Sequence, residues 1–99
     1  MDEDATAAGA VYGLADHVRG VTNADYGMLL DLRTGKFHSL NRLGADLIRA
    51  VREAEDLGAW ERATAERYGV APDRVARDVA TFVERLVGLG MLQRRTAGR

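Results

Sequence analysis

Apolar and polar positions alternate most clearly over residues 26–33. Met28, Leu30 and Leu32 share one face of an extended run there, and Leu29 adds apolar surface to the other. Thr34 and Gly35 separate this run from Lys36, Phe37, His38, Ser39 and Leu40. A glycine-containing turn between two strand-like runs predicts a hairpin. Closed by a two-residue loop at Thr34-Gly35, the hairpin would set Leu32 opposite Phe37 and Asp31 opposite His38. A weaker strand is predicted over residues 17–21, with Gly20 inside it.

Beyond Leu40 the period becomes helical. Asn41 is placed to cap a helix over residues 42–53, in which Leu43, Leu47, Ile48 and Val51 recur at helical spacing. It should stop before Gly58. A second amphipathic helix carries Trp60, Ala63, Thr64 and Tyr68 on one side, and Gly69 can end it in a left-handed conformation. Pro72 and Asp73 open a third helix, because proline suits the first turn and an acid suits the positive end of the helix dipole. Gly90 ends it, and Met91-Leu92 follow as a short extended piece. Three strands followed by three helices define an α+β domain. A three-stranded antiparallel sheet is covered on one face by the helices, an order compatible with a winged helix-turn-helix.

The third helix is wider in apolar surface than one buried face requires. Val75, Val79, Phe82, Leu86 and Leu89 form one stripe, which Ala76, Ala80, Val83 and Val87 widen to roughly half the circumference, against the ~100° of a helix with a single buried face. Either both sides of the stripe pack inside the domain, or one side is the wall of a groove for a partner. Arg74, Asp78, Thr81 and Arg85 on the remaining side are mixed in sign.

Composition narrows the chemistry. The 99 residues make one domain, predicted over residues 12–93 between a flexible lead-in at residues 1–11 and a flexible basic tail at residues 94–99. Net charge is -1, so no global field recruits nucleic acid or anionic lipid. With no cysteine there is no disulfide, thiolate nucleophile or cysteine metal site. No stretch is apolar enough to span a bilayer, and the acidic start Met1-Asp2-Glu3-Asp4 is unlike a signal peptide, so the expected location is cytoplasmic. His17 and His38 are far apart and lack a third ligand, which excludes a zinc site. His38 and Ser39 are adjacent on a strand and point to opposite faces, so they cannot be a nucleophile–base pair. Glu53 and Glu55 fall in a helix-ending loop as solvated charge. Gly88-Leu89-Gly90 ends a helix rather than opening one, so it is no phosphate loop. No catalytic residue, metal or cofactor is expected. A winged-helix DNA-binding regulator is the alternative, because residues 69–72 make a turn between two helices. Arg74 and Arg77 are interleaved with Asp73 and Asp78, however, which equips that surface poorly for phosphate.

The strand at residues 36–40 would be an edge of the sheet, and an unpaired edge beside an apolar helix is what strand addition by a peptide uses. The run Gly27-Met28-Leu29-Leu30-Asp31-Leu32-Arg33-Thr34-Gly35-Lys36-Phe37-His38-Ser39-Leu40-Asn41 resembles the hairpin of PqqD-like proteins. Glu66-Arg67-Tyr68-Gly69-Val70 resembles the end of their second helix, and Asp78-Val79, Phe82-Val83, Leu86 and Gly90-Met91-Leu92 resemble their last helix and exit. The resemblance spans residues 17–92. It implies a recognition element of ribosomally made, modified peptides, which takes the leader of a precursor peptide as an extra strand between the third strand and the third helix. A freestanding chain of this length is most similar to the leader-binding protein of lasso-peptide pathways, whose partner is a transglutaminase-like leader peptidase or another modifying enzyme. A PqqD-type peptide chaperone of another pathway is also compatible. The resemblance assigns peptide binding to Lys36, Phe37, His38, Ser39 and Leu40 on the strand and to Asp78, Val79, Phe82, Val83 and Leu86 on the helix. Trp60 departs from the smaller aliphatic usual in the family, and is expected either in the core or on a surface for the partner enzyme.

Overall fold

The computed structural model describes residues 11–95. Residues 1–10 of the lead-in expected over 1–11, and 96–99 of the tail expected over 94–99, lie outside the described residues. The elements are β1 (Val11–Leu14), β2 (Val18–Thr22), β3 (Gly27–Asp31), β4 (Phe37–Leu40), α1 (Arg42–Arg52), α2 (Leu57–Tyr68), α3 (Pro72–Gly88) and β5 (Leu92–Arg95). The α+β class holds, with an antiparallel sheet in the order β2-β3-β4 followed by three helices. Among the described residues no helix is long and apolar enough to cross a membrane.

The pattern gives no sign of β1 and shows β5 only as the short extended piece at Met91-Leu92. β1 and β5 pair antiparallel as a separate ribbon, with Val11 opposite Arg95 and Leu14 opposite Leu92. Val11 therefore belongs to the fold rather than to the lead-in, and Arg94 and Arg95 belong to it rather than to the tail. Tyr12 is buried, and the Arg94 guanidinium lies 5.6 Å from the centre of its ring. A cation over an aromatic face stabilises that end of the ribbon.

The hairpin differs from expectation in register. Leu30 is opposite Phe37 and Leu29 opposite His38, so the pairing is shifted by two residues and Asp31 does not face His38. The connection is longer than two residues because Asp31 organises it. Its carbonyl accepts the Gly35 N–H at 2.8 Å, its carboxylate accepts the Arg33 N–H at 2.8 Å, and its own N–H donates to the Lys36 carbonyl at 2.8 Å. Gly35 turns the chain at φ 77, a left-handed value that favours glycine. The buried face of β3 is Gly27, Leu29 and Asp31, whereas Met28 and Leu32 are exposed. What selects this face is α1. A Cβ at Gly27 would stand 3.1 Å from the Ala45 Cβ and 3.0 Å from Thr22 Cγ2, so only glycine lets the helix approach so closely.

The helices begin and end for the reasons their sequences give. The Asn41 carboxamide accepts the Gly44 N–H at 2.8 Å at the start of α1. Asp56 caps α2 through the Gly58 N–H at 2.9 Å, and Gly69 closes it at φ 66. Pro72 opens α3. On α2 the buried side is Leu57, Trp60, Glu61, Thr64 and Ala65, while Ala63 and the ring of Tyr68, expected on that side, are exposed. α1 lies across the inner face of the sheet, and its Leu47, Ile48 and Val51 join Leu29, Leu40, Val83, Leu86 and Leu92 in the core. α3 packs instead against α2 and β5, beside the sheet rather than under it.

Candidate functional site

The sheet order leaves β4 with one open edge. In an antiparallel ladder alternate residues turn both their N–H and C=O toward the same neighbour. The bond from Asp31 N–H to the Lys36 carbonyl makes Lys36, His38 and Leu40 the residues that face β3. Phe37 and Ser39 therefore turn their N–H and C=O groups outward, and four main-chain groups line the free edge. Side chains alternate the other way. Leu40 points inward and is buried and His38 is half-buried, whereas Phe37 and Ser39 are exposed on the outer face.

α3 reaches the neighbourhood of this edge through Phe82. A Cβ at Gly44 would be 3.3 Å from Phe82 Cζ and 3.7 Å from the Leu40 Cβ, which places Phe82 at the Leu40 end of β4 over the first turn of α1. A Cβ at Gly90 would be 3.7 Å from the Arg33 guanidinium, so the Arg33 side chain reaches from the β3–β4 loop to the end of α3. From Phe82 to Leu89 the helix rises about 10 Å, and four residues of strand extend about 13 Å.

The candidate residues fall into three groups. Phe37 and Ser39 hold the open edge, with His38 turned inward and Lys36 at the turn. Phe82 is half-buried and Asp78 exposed on the flank of α3 that faces the edge. Val79, Val83 and Leu86 are core residues, 4%, 1% and 2% exposed, and they back the wall rather than surface it. Leu89, which shares the flank of Phe82 at helical spacing and is 48% exposed, was absent from the expected set. Its signal was present in the stripe but fell next to a helix-ending glycine.

A second polar cluster joins α1 to α2. Arg49 donates to the Asp46 carboxylate at 2.8 Å, to Glu53 at 2.8 Å and to Glu55 at 2.7 Å. The Trp60 indole N–H donates to the other Asp46 oxygen at 2.8 Å. Trp60 is thus a core residue with its polar edge satisfied, and Glu53 and Glu55 are paired rather than simply solvated. The Arg49 hydrogen bond holds the Asp46 carboxyl below the usual carboxylate range, and the Asp46 and Glu55 carboxylates raise the guanidinium of Arg49. Burial pushes the Glu61 carboxyl up, and its Oε2 has no hydrogen-bond partner among the described residues. Among the described residues no three His, Asp or Glu side chains gather to hold a metal ion.

A winged-helix-like α+β domain with an open sheet edge set against its last helix is the class this geometry defines. The profile of the family described as coenzyme PQQ synthesis protein D (PqqD) matches residues 27–92, two-thirds of the chain, and the chain belongs to that family. Among solved structures it is similar to TbiB1 in complex with the TbiA(beta) leader peptide, at 25% identity and a TM-score of 0.74, covering 82% of this chain and 94% of that one. No curated protein matches it.

Proposed function

We propose that the protein is an adaptor without chemistry of its own, which binds the leader segment of a ribosomally synthesised precursor peptide by adding it as a strand to β4. It then delivers that precursor to a transglutaminase-like leader peptidase or another modifying enzyme, in lasso-peptide maturation. One observation carries the reading: the outward N–H and C=O groups of Phe37 and Ser39 lie along an open edge, with the half-buried Phe82 of α3 at its Leu40 end. Main-chain hydrogen bonds then supply affinity, and the side chains of the two walls supply selection. Membership of the PqqD family and the likeness to TbiB1, solved with a leader peptide, support it.

The peptide site comprises Lys36, Phe37, His38, Ser39 and Leu40 along the strand, with Asp78 and Phe82 facing it and Val79, Val83 and Leu86 behind them. Titrating the isotopically labelled chain with the leader of a precursor encoded beside its own gene tests this. The amides of Phe37 and Ser39 are expected to shift and to gain protection from exchange, while those of His38 and Leu40, already turned toward β3, change less. Binding without protection at Phe37 and Ser39 would remove strand addition as the mode.

A further inference from the structure

The outer face of the sheet, away from α1 and the groove, is unusually apolar. Val21 is 71% exposed, Phe37 60%, Leu32 52% and Met28 41%. Cross-strand pairing puts Phe37 beside Leu30, and Ser39 beside Met28 and through it Val21. A contiguous exposed patch of this kind on so small a domain marks a contact surface. Its position within the sheet identifies the occupant. Phe37 and Ser39 are the two residues whose main-chain groups face the open edge, and they are also the two β4 residues whose side chains lie on this outer face. A strand added to β4 must therefore alternate its own side chains between the groove and this patch.

Ser39 is small and sits at the edge between bulky neighbours. Behind it Met28 stays open to solvent, and beside it on the same strand face stands the Phe37 ring, within diagonal reach of Met28. The small Ser39 side chain thus leaves a step between the larger, exposed Phe37 and Met28 at the edge that an incoming strand would meet, here called the notch.

We infer that the outer-face notch formed by Phe37, Met28 and Ser39 is a second selectivity site, which takes a large apolar or aromatic side chain of the added peptide strand on the face opposite the α3 groove. The inference rests on strand addition at β4 and adds to it that the peptide is read on both faces. Aromatic and aliphatic side chains seated there would lose their exposed surface against Phe37 and Met28, while the main chain stays paired.

The test uses the full chain, immobilised and offered a displayed library of random dodecapeptides, with Phe37→Ser, Met28→Ser and Ser39→Leu beside the wild type. All three positions are solvent-exposed, and melting temperatures of the variants are expected to stay close to wild type. Wild type should enrich peptides with large apolar residues at two positions of opposite parity. The Phe37→Ser and Ser39→Leu variants should lose the preference at one parity and bind the wild-type winners about tenfold more weakly. Phe82→Ala should lose the preference at the other parity. If the enriched peptides protect the Phe37 and Ser39 amides but show the same residues with wild type and all three notch variants, the notch is refuted and strand addition survives. If the enriched peptides leave those amides unprotected, or nothing is enriched, strand addition itself fails and the notch falls with it. Should Phe37→Ser or Met28→Ser melt early, Ser39→Leu decides the test, because it fills the notch without removing any contact.

Discussion

α1 and α3 both carry apolar surface to spare, yet the fold uses them differently. α1 buries six of its eleven residues, crosses the inner face of the sheet and sets which side of β3 is inside. α3 is longer and buries only Val75, Val79, Val83 and Leu86 of its seventeen residues. Phe82 is left half-buried and Leu89 exposed along the flank beside β4. The first helix completes the core. The last one is held by α2 and β5, and its Phe82 flank is the wall of the groove proposed beside β4.

Substitutions should separate the two roles by size of effect. Ile48→Ala in α1 empties a fully buried site and is expected to cost about 3–4 kcal/mol in a thermal or denaturant melt. Phe82→Ala in α3 removes a larger ring, but a half-buried one over Gly44, and is expected to cost about 1.5–2.5 kcal/mol while weakening leader binding about tenfold or more. Equal losses of stability at the two positions would erase the distinction and make α3 as much a core element as α1.

A smaller effect follows from how α1 is fixed to α2. The Asp46 carboxylate is held below its ordinary range by Arg49 and also accepts the Trp60 indole N–H. A depressed carboxylate contributes stability above its unfolded value, and that contribution fades as pH falls through its folded value. Asp46→Asn should therefore lower the melting temperature at pH 7 and approach wild type in acid. Glu61 has the opposite sign, because burial raises it and the ionised form is the unfavourable one. Glu61→Gln should raise the melting temperature at pH 8, with the gain vanishing as pH falls below the usual glutamate range. Parallel pH profiles for the two variants would contradict the assignment.

How much of this was legible depends on whether a residue's neighbour is local. Caps and turns are local, and Asn41, Gly69 and Pro72 end and open their helices as their sequence positions dictate. The hairpin existed in the pattern, but its facing did not. Met28, Leu30 and Leu32 alternate as a core face would, yet the buried side is the one that Gly27 opens to Ala45, a contact across eighteen residues of sequence. The β1–β5 ribbon joins the two ends of the described chain, and no local window contains both partners. The open edge at β4 was readable because an edge needs only strand order. On α3 the stripe alone does not separate the residues that surface a flank from those behind it: Val79, Val83 and Leu86 are buried, whereas Phe82 is half-buried and Leu89 exposed.

That last point yields the finest test. Phe82 reaches Gly44 beside the Leu40 end of β4, and Asp78 lies one turn, about 6 Å, nearer the start of α3, so the proposed groove wall would run from Phe82 toward Leu89. The resemblance to the family instead includes Asp78 among the peptide contacts. Both Asp78 and Leu89 are exposed, so Asp78→Arg and Leu89→Arg should each change stability by no more than about 0.5 kcal/mol. They should diverge in binding. A charge at Leu89 lies within the span of the added strand and should weaken leader affinity about tenfold at any salt concentration, since it displaces apolar contact. A reversal at Asp78 acts at the end of the groove by long-range charge, so its effect should be smaller and should shrink as ionic strength rises above physiological. A larger, salt-independent loss at Asp78 than at Leu89 would move the wall one turn toward the start of α3. The groove would then extend past β4, over the first turn of α1.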